Sequence, residues 1–213
     1  MRHVLCFGDS NTWGYRPGEG DRYDEQTRWP CVLQKLLGEE WLVHEDGLNG
    51  RETVQDHPTR LAVNGKAALP YALLSQKPLD LLVISLGTND LKRFSAHHAA
   101  EGVGMLIGLA QSIDSLRRSS NPVFPYGCRV LVISPVEVSA ALAERETDDE
   151  LRMAHEESLK FPKAYQAVCR TYGVDMIDAQ QLTKPSDIDG VHMTVEGHRA
   201  VAEAVNAWIR QHM

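Results

Sequence analysis

The chain has 213 residues, 43% of them hydrophobic and 24% charged, a balance that suits a globular fold with a substantial core and excludes a disordered chain or a fibre. A formal net charge of −7 with no basic run excludes the electrostatic footprint of a nucleic-acid binder. No apolar stretch reaches the roughly 18 residues needed to span a bilayer, and Met1, Arg2 and His3 lead straight into an apolar run with no room for a signal peptide. A cytoplasmic protein without a membrane partner is expected.

In chain order, Val4 to Phe7 is the first of five short apolar runs that read as strands. Gly8, Asp9, Ser10 and Asn11 follow it, so Ser10 falls in the turn at the strand's carboxyl end, where a hydroxyl beside free backbone amides can serve as an acyl nucleophile. The same residue types also make ordinary turns and caps. Trp13 and Tyr15 are close enough in sequence to wall such a site, or to pack the core. Trp29 to Leu37 carries Val32, Leu33, Leu36 and Leu37 at helical spacing and stops at Gly38.

The second run, Trp41 to Glu45, opens into a long connection from Gly47 to Lys66 that begins Gly47, Leu48, Asn49, Gly50, Arg51. A glycine here lets backbone approach a substrate closely and offer it an amide. The third run, Leu79 to Ser85, ends in Gly87, Thr88, Asn89 and Asp90, and an Asn amide at a strand's carboxyl end can donate to a developing oxyanion. A helix is expected over 97–118 despite Gly102, Gly104 and Gly108. The fourth run, Arg129 to Ser134, leads into a second long connection, Pro135 to Glu150, in which Val136, Val138 and Leu142, with Phe161 beyond, are candidates to limit substrate size. The fifth is Val174 to Asp178. Asp189 and His192 stand three apart before a closing helix, Thr194 to Ile209, a spacing that lets the carboxylate fix the imidazole tautomer.

Five strand-like runs separated by helix-length stretches specify an α/β fold, a three-layer α/β/α sandwich around a five-stranded parallel sheet, with residues 1–213 as one domain. The four cysteines, Cys6, Cys31, Cys128 and Cys169, form no C-x-x-C pair and are expected to be reduced, buried and inert; no metal site is indicated. The loop after the first strand has no glycine-rich phosphate cradle, which argues against a flavin- or phosphate-binding module, and no cofactor is expected. Ser10 also lacks the flanking glycines of a G-x-S-x-G elbow.

The pieces resemble, in order, the sequence blocks of the SGNH hydrolases, also called the GDSL esterases and lipases. Ser10 within Gly8 to Asn11 matches the first block, Gly50 or Gly47 the second, Asn89 within Gly87 to Asp90 the third, and Asp189 with His192 the last. The fuller wording around Phe7 to Gly14, Gly47 to Thr53 and Leu86 to Lys92 is similar to the bacterial arylesterase and acyltransferase subgroup, whose Gly-Leu-Ser-Ala-Arg pattern aligns the second donor with Gly50. The resemblance implies a flavodoxin-like fold and a serine esterase in which Ser10, His192 and Asp189 are catalytic. It further implies that Ser10, Gly50 and Asn89 form an oxyanion hole, with Asn11, Trp13, Tyr15 and Thr88 around the substrate. Short-chain or aryl esters, with acyl transfer to alcohols or peroxide, are the implied chemistry, and carbohydrate O-acetyl esterase the alternative. A small-molecule ester is the implied partner, together with a homo-oligomer, in the subgroup often an octamer.

Overall fold

The computed structural model of the protein describes residues 1–117, 120–141 and 149–213. Five strands, β1 (Arg2–Gly8), β2 (Trp41–Gly47), β3 (Leu81–Ser85), β4 (Val130–Ser134) and β5 (Asp175–Asp178), pair in parallel in the order β2-β1-β3-β4-β5. All five apolar runs form strands, trimmed or extended by a residue or two. Both faces of the sheet are covered, which is why the three inner strands β1, β3 and β4 read as nearly unbroken apolar runs, while the edge strands β2 and β5 carry polar residues and are largely half-buried. Leu5 and Phe7 of β1 point into one core and Val4 and Cys6 into the other, and all four are fully buried.

Helices α1 (Ser10–Trp13), α2 (Trp29–Leu37), α3 (Gly65–Gln76), α4 (Ala96–Arg117), α5 (Asp149–Ser158), α6 (Phe161–Tyr172) and α7 (Val195–His212) follow the strands. Residues of α3, α4 and α6 pack on the face that holds Leu5 and Phe7, and residues of α2 and α7 on the opposite face, completing three layers. The expected helix over 29–37 is found with those bounds; Pro30 at its start loses no intrahelical bond, and Gly38 ends it at φ +72°. The closing helix is capped by Thr194, whose hydroxyl accepts the N–H of Gly197 at 3.3 Å.

The strand order matters for function. The chain leaves β1 for β2 on one side and returns to β3 on the other, so the connections after β1 and β3 diverge and leave a crevice at the carboxyl edge. Register sets Gly8 level with Gly47 on one side and Ser85 on the other, so the segments beginning at residues 9, 48 and 86 emerge together.

Candidate active site

Asp9 caps α1, its carboxylate accepting the N–H of Asn11 at 2.9 Å, and turns the chain sharply off β1. Ser10 is the first residue of that turn, 7% exposed, with its own N–H among those a helix start leaves without an intrahelical acceptor. Burial pushes the Asp9 carboxyl up to about 6, against the pull of the Asn11 N–H and the nearby His192, Arg51 and Lys92.

The segment bearing Asp189 and His192 meets Ser10 from 182 positions away. His192 Nε2 lies 2.8 Å from Ser10 Oγ, and His192 Nδ1 lies 2.7 Å from Asp189 Oδ2. The other carboxylate oxygen of Asp189 accepts the backbone N–H groups of Val191 and His192, both at 3.0 Å. Burial alone would raise the Asp189 carboxyl, but the His192 ring and these two amides outweigh it and hold the group below its ordinary range. The carboxylate therefore faces Nδ1 as an acceptor, leaving Nε2 free to take a proton from the serine.

Three further contacts hold this segment. Asn11 Oδ1 accepts the N–H of Met193 at 2.9 Å, Ser139 N–H donates to Gly190 C=O at 2.7 Å, and Tyr15 stacks on the His192 ring with centroids 4.2 Å apart. Asn11, read from sequence as a substrate contact, thus has its carbonyl committed to positioning the residue next to His192. Tyr15 forms an aromatic wall against the imidazole. Trp13 is half-buried under the Arg22 guanidinium, 5.3 Å from its ring. Thr88 is buried and lines a small cavity with Asp9, Asn11 and Val136; its hydroxyl has no hydrogen-bond partner among the described residues.

Asn89 comes from the 3₁₀ turn Thr88–Lys92 that follows β3. Gly87 starts it at φ +132°, and a Cβ there would stand 2.0 Å from the hydroxyl of buried Tyr165, which donates to Leu86 C=O at 2.6 Å; only glycine fits. The Asn89 amide donates from Nδ2 to Arg51 C=O at 3.2 Å, the carbonyl of the residue that follows Gly50. Gly50 sits at φ +78° in the turn after β2, and its N–H meets no acceptor among the described residues. Gly47 has a different task, since a Cβ on it would lie 2.1 Å from the backbone nitrogen of Trp13.

Sequence reading did not find the residues that hold these pieces in place. Arg51 is 5% exposed; its guanidinium donates to Gly8 C=O, Asp46 C=O and Asp46 Oδ1 at 3.0, 2.7 and 2.7 Å and covers the Phe7 ring at 4.1 Å. Thr53 donates to the Asp90 carboxyl from its backbone N–H at 3.0 Å and from its hydroxyl at 2.5 Å, tying the second block to the third. Burial, outweighing those bonds and helped by Glu52 and Asp9, raises the Asp90 carboxyl to about 7. The only sequence signal for either residue is its place inside a block.

Two expectations are corrected. Val138 and Phe161 are buried core residues and line no open substrate wall, whereas Val136, also buried, lines the small cavity beside Thr88; Leu142 lies outside the described residues. Cys6 and Cys169 are buried as expected, but Cys31 and Cys128 are half-buried; all four are free thiols. Among the described residues no three His, Cys, Asp or Glu side chains converge as a metal site would need, and no helix is long and apolar enough to cross a membrane.

The chain is similar over almost its whole length to three solved esterase structures. A carbohydrate acetylesterase family member from Sinorhizobium meliloti is 33% identical, with 99% of this chain and 98% of that one covered and a TM-score of 0.86. An aryl esterase from M. smegmatis is 29% identical, with both chains fully covered (100% and 100%) and a TM-score of 0.90. A second carbohydrate acetylesterase from Sinorhizobium meliloti is 29% identical, again with 100% of each chain covered and a TM-score of 0.89. Among curated proteins none matches. The pattern of the GDSL-like Lipase/Acylhydrolase family matches residues 6–200, a span that takes in the strand ends and every segment described above, and the chain belongs to that family as a carboxylic ester hydrolase of the SGNH type.

Proposed function

We propose that this esterase works through an acyl-enzyme on Ser10, with His192 as general base and acid and Asp189 as the group that orients it. The observation that carries the reading is the continuous chain from Ser10 Oγ to His192 Nε2 at 2.8 Å and from His192 Nδ1 to Asp189 Oδ2 at 2.7 Å. As Ser10 attacks the ester carbonyl, Nε2 takes the hydroxyl proton; Asp189 stabilises the imidazolium, which then protonates the leaving alcohol. The N–H groups of Ser10 and Gly50 and the Asn89 side-chain amide hold the oxyanion. Water, or an alcohol or peroxide that reaches the acyl group first, completes the cycle.

Short-chain and aryl esters fit the Tyr15 ring beside His192 and are the preferred substrates in this reading. A carbohydrate O-acetyl ester is the second reading, supported by the acetylesterases that the chain resembles at 33% and 29% identity. Assembly into a homo-oligomer belongs to the same proposal. Leu61 and Tyr71, 93% and 79% exposed beside a groove bounded by Val63, Ala67 and Ala68, offer it a surface.

Hydrolysis of p-nitrophenyl acetate by the wild type, Ser10→Ala and His192→Ala tests the mechanism. Each variant is expected to lose about 10⁴-fold or more in kcat/KM, with an unchanged thermal midpoint. Full activity in either variant sinks the assignment of that residue. A chain-length series of p-nitrophenyl esters, run beside an acetylated sugar, separates the two substrate readings.

A further inference from the structure

We infer that Lys92 is a positioning residue for the oxyanion site: its ammonium, 3.1 Å from Asn89 Oδ1, fixes which end of the Asn89 amide faces the substrate and strengthens that end as a donor. The inference rests on the proposed role of Asn89 as an oxyanion donor.

The two ends of an Asn amide are nearly alike in shape, and only one can stabilise an oxyanion. With Nδ2 towards the substrate it donates; flipped, it presents a carbonyl that repels the developing charge. Arg51 C=O accepts from Nδ2 at 3.2 Å, so a flip would set oxygen against oxygen at that end. Lys92 carries three donors and no acceptor, so a flip would set an NH₂ group against an ammonium at the other end. One orientation satisfies both neighbours. It spends a single Nδ2 hydrogen on Arg51 and leaves the second for the oxyanion.

The local fold makes this pairing structural. Asn89 and Lys92 are three apart in the 3₁₀ turn Thr88–Lys92, and in a 3₁₀ helix side chains at i and i+3 eclipse, so the lysine stem is carried directly over the amide. Lys92 has no competing ion pair among the described residues. Its neighbour Arg93 takes Glu52 at 2.5 Å, and Arg60 stands 3.8 Å from the other Glu52 oxygen. A cation on the amide oxygen draws electron density from the nitrogen end, making the free N–H a stronger donor at the moment charge develops.

The experiment compares Lys92→Met, Lys92→Arg, Asn89→Ala and the Lys92→Met/Asn89→Ala double variant with p-nitrophenyl acetate. Asn89→Ala is expected to lower kcat about 10²-fold or more. Lys92→Met should lower kcat about tenfold, the size of one lost charge-assisted bond, with KM and thermal midpoint unchanged. Lys92→Arg should recover most of that loss, and Lys92→Met should cost nothing further once Asn89 is alanine. Unchanged kcat in Lys92→Met, a loss confined to KM, or an equal loss in the Asn89→Ala background overturns the role of Lys92 while leaving the mechanism intact. Full activity in Asn89→Ala overturns the oxyanion assignment itself, and the inference with it.

Discussion

Asp189 accepts three hydrogen bonds, two from backbone amides and one from the His192 ring, so its shape and its charge can be separated by a single substitution. Asp189→Asn keeps the shape, but an amide nitrogen facing Nδ1 would force the imidazole to carry its proton on Nε2, the atom that must receive one from Ser10. We expect kcat for p-nitrophenyl acetate to fall about 10⁴-fold with KM little changed. A variant within tenfold of wild type, roughly 1.4 kcal/mol, would show that the carboxylate does not set the tautomer. Asn11 shows where residue-level reading stops. The sequence places it beside the nucleophile, but its partner is the amide of Met193, a contact across 182 positions that no local pattern announces.

Among the elements, legibility followed packing. The inner strands β1, β3 and β4 were readable because burial on both faces leaves continuous apolar runs, and α2 because an amphipathic stripe is framed by Pro30 and Gly38. Helix α3 offers no such signal: it starts at Gly65, carries Pro70 inside, and its buried positions make no clear stripe. The blocks that bear Ser10, Asn89, Asp189 and His192 were readable because each is a short local turn at an element boundary. The connection from β2 to α3 was not, because a buried charge holds it. Arg51 joins the carboxyl ends of β1 and β2 through Gly8 and Asp46, and the turn that presents Gly50 hangs from it. Arg51→Met preserves much of the packing over Phe7 but removes these bonds and leaves the Asp46 carboxylate, itself half-exposed, without its cation. Urea unfolding is expected to report a loss of about 2 kcal/mol, accompanied by a fall in kcat as the Gly50 amide loses its placement. Wild-type stability in this variant would show that the turn is held by other contacts.

For the whole molecule, three buried groups outside the Ser10–His192–Asp189 chain set opposing dependences on pH. Burial raises Asp9 to about 6 and Asp90 to about 7 from an ordinary value of 3.8, and lowers His198, which has no hydrogen-bond partner on either ring nitrogen among the described residues, from 6.5 to about 4. The two carboxyls bind their protons more tightly in the native state than in the unfolded chain. Between about pH 4 and 7 unfolding therefore releases protons, and their contribution to stability declines as pH rises. His198 acts in the other sense, because the unfolded imidazole takes up a proton that the native one refuses, and its contribution declines as pH falls from 6.5 to about 4. Of these three groups, only the carboxyls still shape the slope above pH 6.5. Asp90→Asn removes the larger of the two carboxyl effects. Each pK unit corresponds to about 1.4 kcal/mol, so a rise from 3.8 to about 7 sets a ceiling near 4 kcal/mol on the pH-dependent part. Urea unfolding of wild type and variant at pH 5, 6, 7 and 8 separates this from the cost of altering the bonds to Thr53, because that cost is a constant offset and the ionisation term is a slope. The variant is expected to gain on the wild type from pH 5 to about 7 and to hold that gain at pH 8, and a difference independent of pH would place the Asp90 proton elsewhere.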